Sequence, residues 1–323
     1  MGPRLVVTPG DPRGIGPEVT AEAVRVLARE IPESSLSVVG PNGLLPLEEL
    51  DSLRQDFSQT TRDNLDPFGA DPAAGAFAGG AILRAVEMTV AGSAHAIVTA
   101  PLHKPSLHAA GWMFPGQTEF LADLAGIADV GMLMAAERTR LEGPLRVLLA
   151  TTHLPLSAVP AALTSDLLIR QIGLLHDALV RDWGIETPRI GLCALNPHAS
   201  DGGLFGNEEA ETFGPAVDAA RANGIDVLGP LPADTVFSRA LAGGFDAVVA
   251  PYHDVGMAAF KTVSFGTGVN VSIGLPFVRT SPDHGTAFDI AGSGTADSSS
   301  MLEALRLAWR LAKARFDTSS LHV

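Results

Sequence analysis

The sequence predicts an α/β protein made of two α/β/α domains with a cleft between them. Short apolar runs that read as strands alternate with stretches of helical period, the pattern of a parallel sheet with helices on its faces. Most of these runs end abruptly at proline or at a turn rich in Gly, Pro and Asn, as buried strands do. At 323 residues, 46% of them hydrophobic, the chain is long enough for two domains with buried cores. The first and last thirds are expected to combine into one domain, residues 1–115 plus 271–323, leaving 116–270 as the other.

Leu5-Val6-Val7 reads as the first strand, followed by a turn from Pro9 to Gly16. Pro17 suits the first turn of a helix and Glu18 its positive end, with Val19, Ala23, Val26 and Leu27 at helical spacing. Strand, glycine-rich turn and helix is the layout of a nucleotide-binding start, but GxGxxG is not present, and a tight structural turn is the simpler reading. Residues 41–80 show little periodicity and are expected to be irregular surface structure leading into a helix near 81–90. Strands follow at 96–99, 146–150, 190–195 and 247–250. Leu168, Ile172, Leu175 and Leu179 mark one helix face, and Leu302, Leu305, Ala308 and Leu311 another in a last helix over 301–314.

Charge narrows the function classes. Lys plus Arg total 22 against 36 Asp plus Glu, a formal charge of −14, which argues against nucleic-acid or anionic-membrane partners. A local basic pocket for a small anion remains compatible with it. Cys193 is the sole cysteine, so no intrachain disulfide forms and a reducing, cytoplasmic setting is expected. The N-terminal residues lack a signal peptide's apolar core, and the apolar stretch 145–163 is interrupted by Arg146, His153, Pro155 and Pro160.

Three histidines share one structural slot. His153, His198 and His253 each follow the end of a predicted strand by a few residues. Ligands of open parallel sheets bind outside the carboxyl ends of strands, so three neighbouring strands would bring three imidazoles to one rim, a plausible set for a divalent transition metal. Each histidine could equally cap its own loop; the repetition of the slot favours the metal. His103 occupies a similar slot that spacing does not exclude, whereas His176 lies beside an apolar stripe and reads as structural. After His253 come Asp254, Lys261 and Arg279, two scarce cations in an apolar, glycine-rich segment, which suits anion binding.

Blocks spread over nearly the whole chain carry a family resemblance: GDPRGIGPE at 10–18, PGQTE at 115–119, TTHLPL at 151–156, LNPHA at 195–199, GPLPADT at 229–235, YHD at 252–254 and GLPFVRTSPDHGT at 274–286. In these the sequence resembles the 4-hydroxythreonine-4-phosphate dehydrogenases of vitamin B6 (pyridoxal phosphate) synthesis. The resemblance implies a fold like that of isocitrate and isopropylmalate dehydrogenases. It implies NAD-dependent oxidation of the C3 hydroxyl of 4-hydroxythreonine 4-phosphate, and loss of carbon dioxide to leave 3-amino-2-oxopropyl phosphate. It further implies a divalent metal, zinc first and Mg, Co or Mn as alternatives, on His153, His198 and His253, in a site shared across a homodimer with the His253 ligand given by the partner. Substrate contacts match Gln117, Thr118, Lys261, Asn270 and Arg279. The segment carrying His284, Gly285, Thr286, Ala287 and Asp289 looks like an adenosine-side loop, which places NAD (NADP being the alternative) on the first domain and the metal ligands and dimer interface on the second. Asp254 is the proton-acceptor candidate, by position only.

Some positions depart from the family pattern. Gln117 stands where His is common, Val255 where Gln is usual, and Ser200-Asp201 where Gly-Glu is usual. A glutamine keeps hydrogen bonds but takes on no proton. These changes put the substrate in question more than the reaction type: related dehydrogenases act on 4-phosphothreonate or on cis-dihydrodiols of aromatic acids, and Lys261, Asn270 and Arg279 together favour a phosphorylated substrate. Two other classes compete, a metal-dependent hydrolase with Asp254 near the ion and a non-catalytic protein that closes on a small anion.

Overall fold

The structure, a computed structural model, describes residues 2–60 and 69–318. It opens with β1 (Arg4–Thr8), in which Leu5, Val6 and Val7 are fully buried, as in a strand covered on both faces. Helix α1 (Gly16–Glu30) follows, with Pro17 and Glu18 in its first turn and Val19, Ala23, Val24 and Leu27 inward. Next come β2 (Ser35–Gly40), β3 (Gly43–Leu44), α2 (Leu47–Thr60), α3 (Pro72–Val90), β4 (Ala96–Thr99), α4 (Lys104–Ala109) and α5 (Gln117–Ala125).

The stretch expected to be irregular is therefore helical over much of its length, apart from residues 61–68, which lie outside the described residues. Its start is legible after the fact: Asp71 caps α3 by accepting from the N–H groups of Ala73 (2.9 Å) and Ala74 (3.1 Å), with Pro72 at the first helical position. The glycines that argued against a helix are there for contact. A Cβ on Gly75 would lie 1.9 Å from the Ser106 carbonyl oxygen, and one on Gly79 2.4 Å from the Trp112 indole nitrogen. Helix α3 is long and apolar enough to cross a membrane by length and composition, but half of that window is buried and Ala74, Ala78, Ile82 and Val86 pack inward.

The middle of the chain forms β5 (Gly131–Ala136), β6 (Leu145–Leu149), α6 (Val159–Ala162), α7 (Ser165–Trp183), β7 (Ile190–Cys193), α8 (Gly214–Ala222), β8 (Val227–Leu231), α9 (Ala233–Leu241), β9 (Ala247–Ala250), α10 (His253–Ser264) and β10 (Val269–Ile273). The chain ends with β11 (Val278–Pro282) and α11 (Ser299–Thr318).

Two compact units result, residues 1–128 with 275–323, and residues 129–274. The sequence set these boundaries at 115 and 270. Helix α5 belongs to the first unit because Phe120, fully buried, stacks on Phe114 (4.7 Å) and Trp112 (5.0 Å). In the first unit the strand order is β3-β2-β1-β4-β11, parallel except for the short β3. In the second it is β10-β5-β6-β9-β7-β8, where β6, β9, β7 and β8 are parallel and β5 runs antiparallel to both β10 and β6. The sequence pattern points to a parallel sheet; β5 departs from it because the β5–β6 connection is short enough for a hairpin, closed by Thr139 N–H and hydroxyl bonds to the Gly143 carbonyl.

The core of the second unit is built on Val147, Leu149, Val248, Phe245 and Phe260. Phe260, on α10, is completely buried. Replacing Phe260 by Ala is expected to cost about 3–5 kcal/mol, read as a lower urea midpoint with unchanged slope.

Candidate active site

The strand order answers the first question put by the histidines. β6, β9 and β7 are consecutive parallel neighbours, so their carboxyl ends share one rim of the second unit. The tips of β6 and β9 are tied together, because the Thr151 hydroxyl (2.8 Å) and N–H (3.3 Å) both donate to the Pro251 carbonyl. Just beyond this tie the His153 and His253 rings face one another, centroids 5.6 Å apart and planes inclined at 39°. They line a small pocket of about 110 Å³ with Thr152, Leu156 and Tyr252.

His253 lies in α10 and is its first helical residue after Tyr252. Its Nδ1 pairs with Asp254 Oδ1 at 2.7 Å, leaving Nε2 as the nitrogen available to a ligand. The Asp254 side chain is 89% exposed and stands in the first turn of α10, where the helix dipole favours a carboxylate.

His198 is not part of this pair. It is exposed on a tight turn after β7, and its ring neighbour is Phe205, 6.5 Å away. Among the described residues no group of three or more His, Cys, Asp or Glu side chains lies close enough together to hold a metal ion. One chain thus brings two of the three expected imidazoles together. Their chemistry fits a divalent ion: two imidazoles sharing a tetrahedral ion, each nitrogen about 2.1 Å from it, have centroids about 5 Å apart, close to the spacing here. The carboxylate behind His253 is the usual support for such a ligand.

Lys261 is exposed in the last turn of α10. Asn270, on β10, has a buried side-chain oxygen with no hydrogen-bond partner among the described residues, a vacancy that a donor group on a ligand would fill.

The remaining expected residues lie in the first unit. Arg279, on β11, is 2% exposed, and its Nη2 donates to the Thr99 hydroxyl (2.7 Å) and to Gln117 Oε1 (2.9 Å). Gln117 Nε2 donates in turn to the Ala100 carbonyl (3.2 Å), which fixes the orientation of its amide. Burial pushes the Arg279 pKa down to about 10, and the Glu119 charge partly opposes the shift. Thr118 is the second residue of α5, half-buried beside Gln117.

The segment from His284 to Asp289 lies against the glycine-rich turn. Thr286 accepts the Ile15 N–H at 2.9 Å, and a Cβ on Gly14 would sit 2.7 Å from that same carbonyl oxygen. Ala287 takes a positive φ of 44°. His284 pairs with the Gly285 carbonyl through Nδ1 (3.0 Å), while its Nε2 is buried with no partner among the described residues. Gly285 and Asp289 are exposed. The Gly292 N–H donates to Glu18 Oε1 (2.9 Å).

Spacing gave no hint of what holds this loop. Arg13, 6% exposed, bonds both oxygens of buried Asp11 and the Ser106 hydroxyl (2.7 Å), and its guanidinium lies 5.0 Å from the Phe288 ring centroid. His103 pairs with the same hydroxyl at 2.8 Å and meets Phe288 edge-on. His103 therefore belongs to a network of the first unit, which resolves the ambiguity of its slot. The signal in hindsight is the Asp11-x-Arg13 pair, whose charges would be costly to bury unless they met.

Comparison with known proteins places the chain in a family. A family model described as "Pyridoxal phosphate biosynthetic protein PdxA" matches residues 20–308. A 4-hydroxythreonine-4-phosphate dehydrogenase of Chromobacterium violaceum is 43% identical over 96% of this chain and 97% of its own. A D-threonate 4-phosphate dehydrogenase of Cupriavidus necator is 45% identical over 97% and 98%. The crystal structure of a 4-hydroxythreonine-4-phosphate dehydrogenase from Klebsiella pneumoniae superposes with a TM-score of 0.79 at 36% identity, covering 97% of this chain and 99% of that one. An isocitrate dehydrogenase from Methylococcus capsulatus, 16% identical with a TM-score of 0.52, shares the fold alone. With its family model spanning most of the sequence and such relatives matching it end to end, the chain belongs to the PdxA family of pyridoxal phosphate biosynthetic proteins.

Proposed function

We propose that this chain is an NAD-dependent, divalent-metal-dependent dehydrogenase that oxidises and decarboxylates 4-hydroxythreonine 4-phosphate to 3-amino-2-oxopropyl phosphate, in pyridoxal phosphate synthesis. The observation that carries the reading is the His153–His253 pair at neighbouring strand tips, in a chain 43% identical to a named dehydrogenase of this kind. A bound divalent ion would polarise a substrate hydroxyl and the carbonyl formed from it, and NAD would accept the hydride. Side chains of this chain supply the substrate contacts. Arg279 offers a planar cationic fork to a phosphate, pre-set by Thr99 and Gln117, and Lys261 adds a point charge. Asn270 and Thr118 supply neutral hydrogen bonds that orient the substrate. The bond from Asp254 to His253 favours an orienting role for this carboxylate over that of proton acceptor. His284, Gly285, Thr286, Ala287 and Asp289 form the dinucleotide loop, with the buried, unpartnered His284 Nε2 as a ready hydrogen-bonding group.

Imidazole donors suit Zn(II) or Co(II) better than Mg(II). Among the described residues one chain gathers two imidazoles and not three, which supports a third donor from a second copy, in a homodimer that shares the metal site. The lone buried cysteine and acidic charge support a cytoplasmic setting.

The test is NADH formation by the zinc-loaded protein. Turnover of 4-hydroxythreonine 4-phosphate is expected, and its absence with Zn, Co, Mg and Mn alike would refute the assignment. The second reading, D-threonate 4-phosphate as substrate, has the 45% identical relative in its favour. The ratio of kcat/KM for the two substrates decides between them.

A further inference from the structure

The turn that presents His198 is wound left-handed. His198, Ala199, Ser200, Asp201 and Gly202 have φ values of 54°, 54°, 69°, 43° and 70° in succession. Only the last is a glycine, and L-residues avoid this region because Cβ crowds the following carbonyl. Four strained residues in a row persist only where the surroundings hold them.

What holds them is one buried carboxylate that no role has yet been given. Glu209, 5% exposed, accepts the N–H groups of Leu195 (2.9 Å) and Asn196 (2.7 Å) on Oε1. Its Oε2 accepts the Asn196 side-chain amide (2.9 Å) and the Ser200 hydroxyl. The entry to the turn and its midpoint are thus fastened to the same group. Burial pulls the Glu209 pKa up, and the bonds from Asn196 and Ser200 more than reverse this, so the group remains an anion. Glu209 is itself fixed, because it begins a single π-helical turn, Glu209–Phe213, whose last residue is fully buried. Such single turns are rare and occur frequently at functional sites. Ser200, at a position where the family resemblance leads one to expect glycine, bears the backbone strain and supplies the fastening.

We propose that Glu209 and Ser200 are positioning residues: by winding residues 198–202 left-handed they set the direction in which His198 is offered to a metal ion. This rests on the metal reading above. The stored strain is the means, since a relaxed right-handed turn would point the imidazole elsewhere.

Co(II) titration followed by its visible absorption tests this on the full chain, with circular dichroism and melting temperature recorded for every variant. His198→Ala is the reference and is expected to lose most of the affinity. Glu209→Gln keeps the size but places an N–H group against the Asn196 amide and Ser200 hydroxyl; it is expected to bind Co(II) about 10–100-fold more weakly while still folded, with an altered absorption band. Ser200→Ala keeps the strain without its fastening and is expected to weaken binding about tenfold, whereas Ser200→Gly removes the strain as well and should stay close to the parent protein. Wild-type affinity in Glu209→Gln, beside a loss in His198→Ala, overturns the positioning role and leaves the metal reading intact. Wild-type affinity in His198→Ala overturns the metal role of His198 itself. Should Glu209→Gln not fold, the serine pair carries the test: equal affinities in Ser200→Ala and Ser200→Gly contradict the proposal.

Discussion

Replacing Arg279 by Ala is expected to lower kcat/KM for the phosphorylated substrate by about 10³-fold, roughly 4 kcal/mol, because a buried, hydrogen-bonded charge that meets an anion is worth about 2–5 kcal/mol. The size follows from the setting. Arg279 is 2% exposed, and its guanidinium is held by Thr99 and Gln117 before any ligand arrives. Little entropy is then lost when an oxyanion binds. Lysine does not restore the function, since an ammonium offers neither the fork nor the reach to Thr99 and Gln117 together. Gln117→Ala frees one side of the guanidinium and is expected to cost less, about tenfold, mostly in KM. The depressed pKa has a consequence of definite sign. From about pH 10 up to the ordinary guanidinium range the folded chain binds fewer protons at Arg279 than the unfolded one, so burial of this cation opposes folding most at lower pH, and that opposition is relieved as pH rises through this window. Anion affinity moves the other way and declines above pH 10, as the charge is lost.

Loss of His153 or of His253 is expected to be comparably severe, about 10³-fold in metal-dependent kcat/KM, since each would be a direct donor to the ion that polarises the substrate. Asp254→Asn makes a graded comparison. A group that only orients His253 should cost about 10–100-fold in metal affinity and leave the shape of the pH–rate profile unchanged. A group that takes the substrate's proton would instead remove the acid limb of that profile. Dimer sharing can be read from the same variants. Mixed dimers of His153→Ala with His253→Ala, and of His153→Ala with His198→Ala, each combine two inactive chains. Where the two altered residues belong to different copies of one site, one of the two sites is restored. One combination is expected to regain turnover and thereby names the donor from the second copy; silence in both would refute a shared site.

Much of this arrangement was legible in the sequence. An apolar run ending in a short polar turn with histidine is a strong local signal, and it placed His153, His198 and His253 at strand ends that prove to be neighbours. Order within the sheet was not legible, because pairing depends on long-range packing. For the same reason the antiparallel β5 went unseen. The first half of helix α3 was missed, only 81–90 having been expected as helix, because Gly75 and Gly79 lower helix propensity, while their value lies in close approach to Ser106 and Trp112, which only tertiary structure reveals. The first-unit network of Asp11, Arg13 and Ser106 and the Glu209 fastening were missed for a common reason. Each depends on a buried charge whose partners lie in other loops or elements, and no periodicity marks such partners. His198 shows the limit most sharply: its slot was right, yet among the described residues it does not form one group of three with His153 and His253.

The most direct test is anomalous diffraction at the zinc edge from crystals grown with zinc. One strong peak per chain is expected within about 2.1 Å of His153 and a second imidazole nitrogen, with a further histidine donated by a neighbouring copy. A peak elsewhere, or none while His153 and His253 remain side by side, would contradict it.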